Sequence, residues 1–200
     1  MEPAKEHLPE ENRKKILHAA EQRFQQFGYG KTTMAEIAGD CDMSAANLYR
    51  YFENKLAIGA ALSRNCLHKD IEILEKIVLD KELAPDHKLH EFILATLDFT
   101  HSQWSEKPRI NEMVTAICHE RMDIVDQHVQ YKQALLITLI REGNQQGVFC
   151  VADPEVTAEA ILTATTLFDV PLLMPLFSRE AFERKAKNLA SLLLNGLLKR

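Results

Sequence analysis

The sequence predicts an all-α protein. Apolar residues recur at helical spacing along most of the chain, and no region keeps the period-two alternation of a half-buried strand. Glycine and proline number seven each among 200 residues, so few residues interrupt a helix. An apolar share of 46% and a charged share of 26% describe a globular protein with ample material for a core. We therefore expect about nine helices separated by short connections.

Two short helices joined by a tight turn are predicted between residues 33 and 52. Thr33 and Glu36 fit a capping box, in which each side chain accepts a hydrogen bond from a backbone N–H that the helix start leaves free. Asp42 interrupts the helical pattern and tolerates the left-handed backbone that a tight turn often needs. Ser44 is a favourable N-cap for the second helix.

The second of these helices has two different faces. Leu48 and Phe52 are four residues apart and share the face that can lie against the preceding helix. The opposite face carries small or polar side chains, as entry into the major groove of DNA requires: Ser44, Ala45, Asn47 and Arg50. The alternative is an ordinary helical hairpin of a bundle. The aromatic and basic residues beside a helix with so little bulk at its start argue against that alternative.

From about residue 12 to residue 69 the chain resembles the DNA-binding domain of the TetR (tetracycline-repressor-like) family of bacterial regulators. The match follows the N-terminal signature of that family in order and at its usual spacing. It depends on Ile16, Leu17, Ala19, Ala20, Phe24, Gly28, Tyr29, Thr32, Thr33, Ile37, Ala38, Ser44, Leu48, Tyr49, Phe52, Asn54 and Lys55. Asp42 and Ala46 stand where the family often has glycine, and the Ala46 methyl could touch a thymine methyl.

The resemblance implies a helix-turn-helix DNA-binding domain at residues 10–70, with its reading unit at 33–52, and a helical effector-binding and dimerisation domain at residues 71–200. It implies a cytoplasmic, homodimeric transcriptional regulator, a repressor that a small-molecule effector releases from a pseudo-palindromic DNA operator. Contacts to base edges are predicted for Ser44, Ala45, Ala46 and Asn47. Contacts to phosphate are predicted for Thr33, Tyr49, Tyr51 and Lys55.

The later helices are marked by clear start and stop signals. A long helix is expected from Asn54 to about Leu79, and others begin near Pro85, Pro108 and Pro154. In the family that the chain resembles, the last two long helices pair with those of a second copy. The residues that this implies for the dimer interface are Ala158, Ile161, Leu162, Thr165, Phe182, Ala186, Leu189, Ala190, Leu193 and Leu197. The alternative for each position is packing inside its own chain.

The resemblance also implies a small-molecule pocket among the middle helices. Its predicted lining is Phe92, Thr96, Phe99, Trp104, Met113, Ile117 and Phe168. Apolar walls with a few polar groups suit a lipophilic effector. Packing in the core is the alternative role of each residue.

Metal binding and catalysis find little support in the sequence. His87 and His90 have the helical spacing of a chelating pair, but His87 is expected in an exposed first turn, and adjacent Cys118 and His119 point in different directions. Neither a nucleophile elbow, a zinc-protease motif nor a glycine-rich phosphate loop is present. We expect no enzyme, no metal and no cofactor. An all-α enzyme on this fold remains one alternative.

Charge neither indicates nor excludes nucleic acid as a partner. The formal net charge is −5, and the residues up to Lys55 carry eight Lys/Arg against nine Asp/Glu. The hypothesis of DNA binding therefore depends on the geometry of the motif, and a module that acts through protein partners is a second alternative. Four well-separated cysteines are typical of free thiols in a reducing cytosol, and no apolar run is long enough to span a membrane.

Overall fold

The computed structural model describes residues 9–106 and 108–197, and these confirm the all-α prediction. In chain order the helices are α1 (Glu10–Phe27), α2 (Met34–Asp40), α3 (Ala45–Tyr51), α4 (Lys55–Leu79), α5 (Pro85–Glu106), α6 (Asn111–Glu120), α7 (Met122–Gln145), α8 (Pro154–Asp169) and α9 (Arg179–Leu197). Two 3-10 turns, Pro108–Ile110 and Pro171–Leu176, precede α6 and α9. Within the described ranges, no helix combines the length and the apolar character that crossing a bilayer requires.

The described residues fall into two compact units. The first comprises residues 9–65 and 108–121, and the second comprises residues 66–106 and 122–197. Helix α4 therefore contributes residues to both units. The first unit also takes in α6, which lies far along the sequence from α1–α3.

The first unit is built around apolar side chains that recur every fourth residue on α1. Ile16, Ala20 and Phe24 are fully buried, and Phe24 meets Tyr29 edge-on with the ring centroids 5.1 Å apart. Spacing by four residues places the three side chains on one helical face, so a single stripe of α1 can be shielded from water. Gly28, with φ 89°, ends the helix as predicted.

The second unit packs α5 against α7, α8 and α9 around one hydrophobic core. Its α8 begins as predicted, because the Asp153 side chain accepts a hydrogen bond from the Val156 N–H and Pro154 occupies the first turn. Lys88 is almost completely buried and donates to both carboxylate oxygens of Glu142, at 2.9 and 2.8 Å. This pair satisfies a charge that would otherwise be costly inside the unit.

Candidate nucleic-acid interface

The start of α2 carries the predicted capping box. Thr33 Oγ1 accepts from the Glu36 N–H at 3.3 Å, and Glu36 Oε2 accepts from the Thr33 N–H at 2.8 Å. The Thr33 hydroxyl also donates to Glu36 Oε2 at 2.8 Å, and this bond, followed by the one from the Thr33 N–H, lowers the pKa of the Glu36 carboxyl. The cap fixes where α2 begins.

The turn between α2 and α3 adopts the conformation that the sequence predicts. Asp42 has φ 54° and is the only non-glycine residue with positive φ among the described residues. The Lys15 ammonium donates to the Cys41 carbonyl at 2.8 Å and to Asp42 Oδ2 at 3.2 Å. A side chain of α1 therefore satisfies a carbonyl that the end of α2 leaves free. Sequence reasoning did not identify this role of Lys15.

Helix α3 buries one face and exposes the other. Ser44 caps it by accepting from the Asn47 N–H at 3.2 Å, and Leu48 and Phe52 are buried against the rest of the unit. Ser44 and Ala46 are exposed, Tyr49 retains 52% of its exposure, and Ala45 and Asn47 are partly exposed. The side chains proposed to read bases thus all keep some exposure to solvent at the start of a short, capped helix.

Two of the proposed phosphate contacts are hydrogen-bonded inside the first unit. Tyr51 Oη accepts from Asn12 Nδ2 at 2.9 Å. The Lys55 ammonium donates to the carbonyls of Tyr29 at 2.6 Å, Gly30 at 3.3 Å and Thr32 at 2.8 Å. Burial lowers the pKa of Lys55. Because its three N–H groups already have acceptors, Lys55 organises the loop before α2, and its contact with phosphate stays a prediction.

Helix α6 is held against the same loop. Glu112 Oε2 accepts from the Gly30 N–H at 2.9 Å, and the Arg109 guanidinium donates to the Gln26 carbonyl. A Cβ atom on Gly28 would lie 3.2 Å from Glu112 Oε2, so glycine also permits the close approach. Partners 82 residues apart leave no local sequence signal, which is why these contacts were not foreseen.

The structure divides the residues predicted to line an effector pocket between the two units. Met113 and Ile117 are buried in the first unit, where Met113 lies against Gly59. The other five belong to the second unit, and of these Phe92, Thr96 and Phe168 are buried whereas Phe99 and Trp104 are partly exposed. Their role in binding an effector stays a prediction.

Several residues predicted for the dimer interface are buried inside their own chain, and their place in an interface stays a prediction. A side chain with almost no exposed surface in the single chain has almost none to bury against a second copy. This applies to Ala158, Ile161, Thr165, Phe182, Ala186 and Ala190. Partial exposure remains at Leu162, Leu189 and Leu193, while the side chain of Leu197 lies outside the described residues. The exposed apolar side chains of the same region are Val156, Leu172, Leu176, Phe177 and Leu192.

Comparison with known families decides the assignment of the chain. Residues 85–190 match the family described as "Tetracyclin repressor-like, C-terminal domain", and residues 16–62 match "Bacterial regulatory proteins, tetR family". The first match alone covers more than half of the sequence. The chain belongs to the TetR family. The resemblance inferred from the N-terminal motif is confirmed, and the protein is a transcriptional regulator of a DNA-binding family rather than an enzyme.

Individual TetR-type proteins are similar over most of their length. The uncharacterized HTH-type transcriptional regulator YhgD of Bacillus subtilis is 24% identical over 160 residues, covering 76% of this chain and 79% of YhgD. SmeT, the repressor of the Stenotrophomonas maltophilia multidrug efflux pump SmeDEF, is 17% identical with a TM-score of 0.67, covering 94% of this chain and 90% of SmeT. The flavonoid-responsive regulator FrrA is 21% identical with a TM-score of 0.64, covering 96% of this chain and 100% of FrrA. The two solved structures share the fold.

Proposed function

We propose that this TetR-family regulator is a homodimeric repressor that a small organic effector releases from its operator. The observation that carries the proposal is the solvent-facing side of α3, where Ser44, Ala46 and Tyr49 are exposed on a helix whose start and turn are held by hydrogen bonds. A rigid, slender helix of this kind can enter the major groove, and base contacts from it would give sequence preference.

Two copies are needed for a stable and selective contact. A helix of seven residues touches only a few base pairs, so a second copy at fixed separation raises affinity and selects a pseudo-palindrome. Exposed apolar side chains near α8 and α9 would supply the contact between copies, namely Val156, Leu172, Leu176 and Leu192. Burial of these side chains on association would release water from apolar surface.

The effector is inferred from the second unit and from relatives. SmeT has been solved in complex with triclosan, and FrrA is described as flavonoid-responsive. Trp104 of this chain is partly exposed and packs against the core of the second unit, and Phe99 is also partly exposed, which suits an apolar organic compound. To lower operator occupancy about a hundredfold, the effector must prefer the non-binding arrangement by roughly 2.7 kcal/mol.

The test is a gel shift with the DNA that flanks the gene of this protein, compared with random DNA of equal length and at several salt concentrations. We expect Asn47→Ala to change which sequences bind best, because its amide can pair with a base edge. Tyr49→Ala should weaken binding to every sequence, because a phosphate contact carries no base information. Equal losses on operator and random DNA for Asn47→Ala would contradict the base-reading role. The absence of any DNA binding by the wild type would favour a protein partner instead.

A further inference from the structure

Four ionisable side chains meet inside the second unit, where they join α4, α7 and α8. Asp70 is 2%, His128 is 9% and Lys132 is 1% exposed, while the Asp169 side chain keeps 23% of its exposure. The Lys132 ammonium lies 2.7 Å from Asp169 Oδ1 and 3.3 Å from Asp70 Oδ2. His128 Nε2 lies 3.2 Å from the same Asp70 oxygen. We call these four residues the Asp70 cluster.

Two buried atoms of the Asp70 cluster have no hydrogen-bond partner in the described part of the chain. They are Asp70 Oδ1 and His128 Nδ1. Because Nε2 faces a carboxylate oxygen, a neutral imidazole carries its proton there, and Nδ1 then presents a lone pair. Asp70 Oδ1 is an acceptor, and His128 Nδ1 is one when the imidazole is neutral, so leaving both atoms buried and unsatisfied is costly.

The charge of the Asp70 cluster points to the same kind of ligand. Two carboxylates share a single ammonium and one imidazole at a largely buried position, so the set is rich in oxygen and nitrogen atoms that can bind a cation. Carboxylate oxygens in such surroundings need a positive partner, which Lys132 supplies and which a metal ion could supply in its place. Unpartnered atoms and buried carboxylates together favour a positively charged ligand.

We propose that Asp70, His128 and Asp169 bind a divalent first-row transition metal ion. Each offers one ligand atom, and these atoms lie within 4.8 Å of one another, so small side-chain movements would bring them to one ion. One imidazole nitrogen with two carboxylate oxygens suits Zn²⁺ or Mn²⁺, whereas the lack of a thiolate in the set disfavours Cu⁺. Asp169 is the most exposed of the three, so an ion would reach the site from the side of Asp169.

Lys132 is the competitor of the metal ion. Its ammonium holds one oxygen of each carboxylate, so a bound ion must replace those contacts and repel the lysine from the cluster. The affinity of the wild type is thereby reduced. A purely structural ion-pair network would instead lose stability when Lys132 is removed and would gain nothing for a metal.

The first experiment is calorimetric titration of the full chain, stripped with a chelator and kept under reductant, with Zn²⁺, Mn²⁺ and Mg²⁺. We expect one Zn²⁺ or Mn²⁺ per chain and much weaker binding of Mg²⁺, which dehydrates reluctantly. Asp70→Asn and His128→Gln should each weaken binding by at least about tenfold. His87→Gln, an exposed histidine outside the cluster, is the matched control and should bind as the wild type does. Unchanged affinity in the first two variants, or no binding by the wild type, would overturn the site.

The second experiment uses Lys132→Met, which should bind Zn²⁺ about tenfold or more tightly than the wild type because the competing charge is gone. Should this variant not fold, thermal unfolding of the wild type and of Asp169→Asn supplies the comparison. The ion should raise the Tm of the wild type with its concentration and raise that of Asp169→Asn far less. A folded Lys132→Met without tighter binding, or equal Tm shifts in the other pair, would count against the proposal. Metal binding is measured without DNA, so its outcome does not depend on whether the protein binds an operator.

Discussion

Glu112 accepts a hydrogen bond from the backbone N–H of Gly30 at 2.9 Å, and the two residues are 82 positions apart. The contact places α6 in the first unit, beside the loop whose carbonyls also hold Lys55. Lys55 approaches that loop with its ammonium, and Glu112 approaches it with its carboxylate. The position of the capped end of α2 therefore depends on a helix from the middle of the chain.

Removal of the Glu112 carboxylate should loosen this loop. We expect Glu112→Ala to lower the free energy of unfolding by about 0.5–1.5 kcal/mol and to speed amide exchange at Gly30, because the N–H loses its acceptor. Glu112→Gln keeps an oxygen that can accept, so exchange at Gly30 should stay close to that of the wild type. Hydrogen exchange followed by NMR measures both. Equal exchange in the two variants would show that the contact does not order the loop.

The capping box of α2 should make stability depend on pH. The pKa of Glu36 is lowered in the folded state, first by the Thr33 side chain, so its contribution is present above its ordinary value of 4.5. As the pH falls through the lower folded pKa, both states become protonated and the contribution is lost. We expect Glu36→Gln to be less stable than the wild type at pH 7 and to approach it as the pH falls below the folded pKa of Glu36, as measured by urea unfolding. A difference in stability between the two proteins that does not change with pH would argue against this role of the Glu36 carboxylate.

Substitutions at an exposed and at a buried side chain of α9 should distinguish the effect on dimerisation from the effect on folding stability. Leu192 is 69% exposed, so Leu192→Glu should leave the helical content unchanged and shift sedimentation from dimer to monomer. Phe182 is fully buried and meets Phe168 and Phe177 edge-on, so Phe182→Ala should cost about 3–5 kcal/mol of stability. Sedimentation and denaturant unfolding of both variants check this. If Leu192→Glu remains a dimer, the interface does not include Leu192.

Gly143 permits the close approach of Phe149 to α7. A Cβ atom at Gly143 would lie 2.1 Å from Phe149 Cδ2, and Phe149 is itself buried in the core. Gly143→Ala should therefore destabilise the second unit by about 1–3 kcal/mol, because the ring must move. Gly39→Ala on α2 is the control, since nothing lies within 4 Å of its added Cβ, and it should be neutral or stabilising by up to about 1 kcal/mol. Chemical denaturation measures the free energy of unfolding of both variants. Similar changes in that free energy would contradict the packing argument.

Local signals in the sequence predicted the elements of the first unit well. The capping box of Thr33, the positive φ of Asp42 and the cap at Ser44 all agree with the structure. Each depends on residues a few positions apart, so the backbone and its nearest side chains carry the whole energetic preference. The start of α6 was predicted less accurately, because Pro108 opens a 3-10 turn and the α-helix begins only at Asn111.

By itself, the sequence determined the all-α class and the helix-turn-helix, since periodicity, caps and turn residues act over short distances, and its N-terminal motif carried the resemblance to the family. Only the tertiary structure decided which partner each apolar face meets and which distant charges meet. Ala158 and Phe182 pack inside their own chain, and Asp70 meets His128 and Lys132, which in turn meets Asp169. An apolar stripe specifies that a helix must be covered but not by what, because hydrophobic burial has no direction and contacts between distant residues leave no periodic pattern.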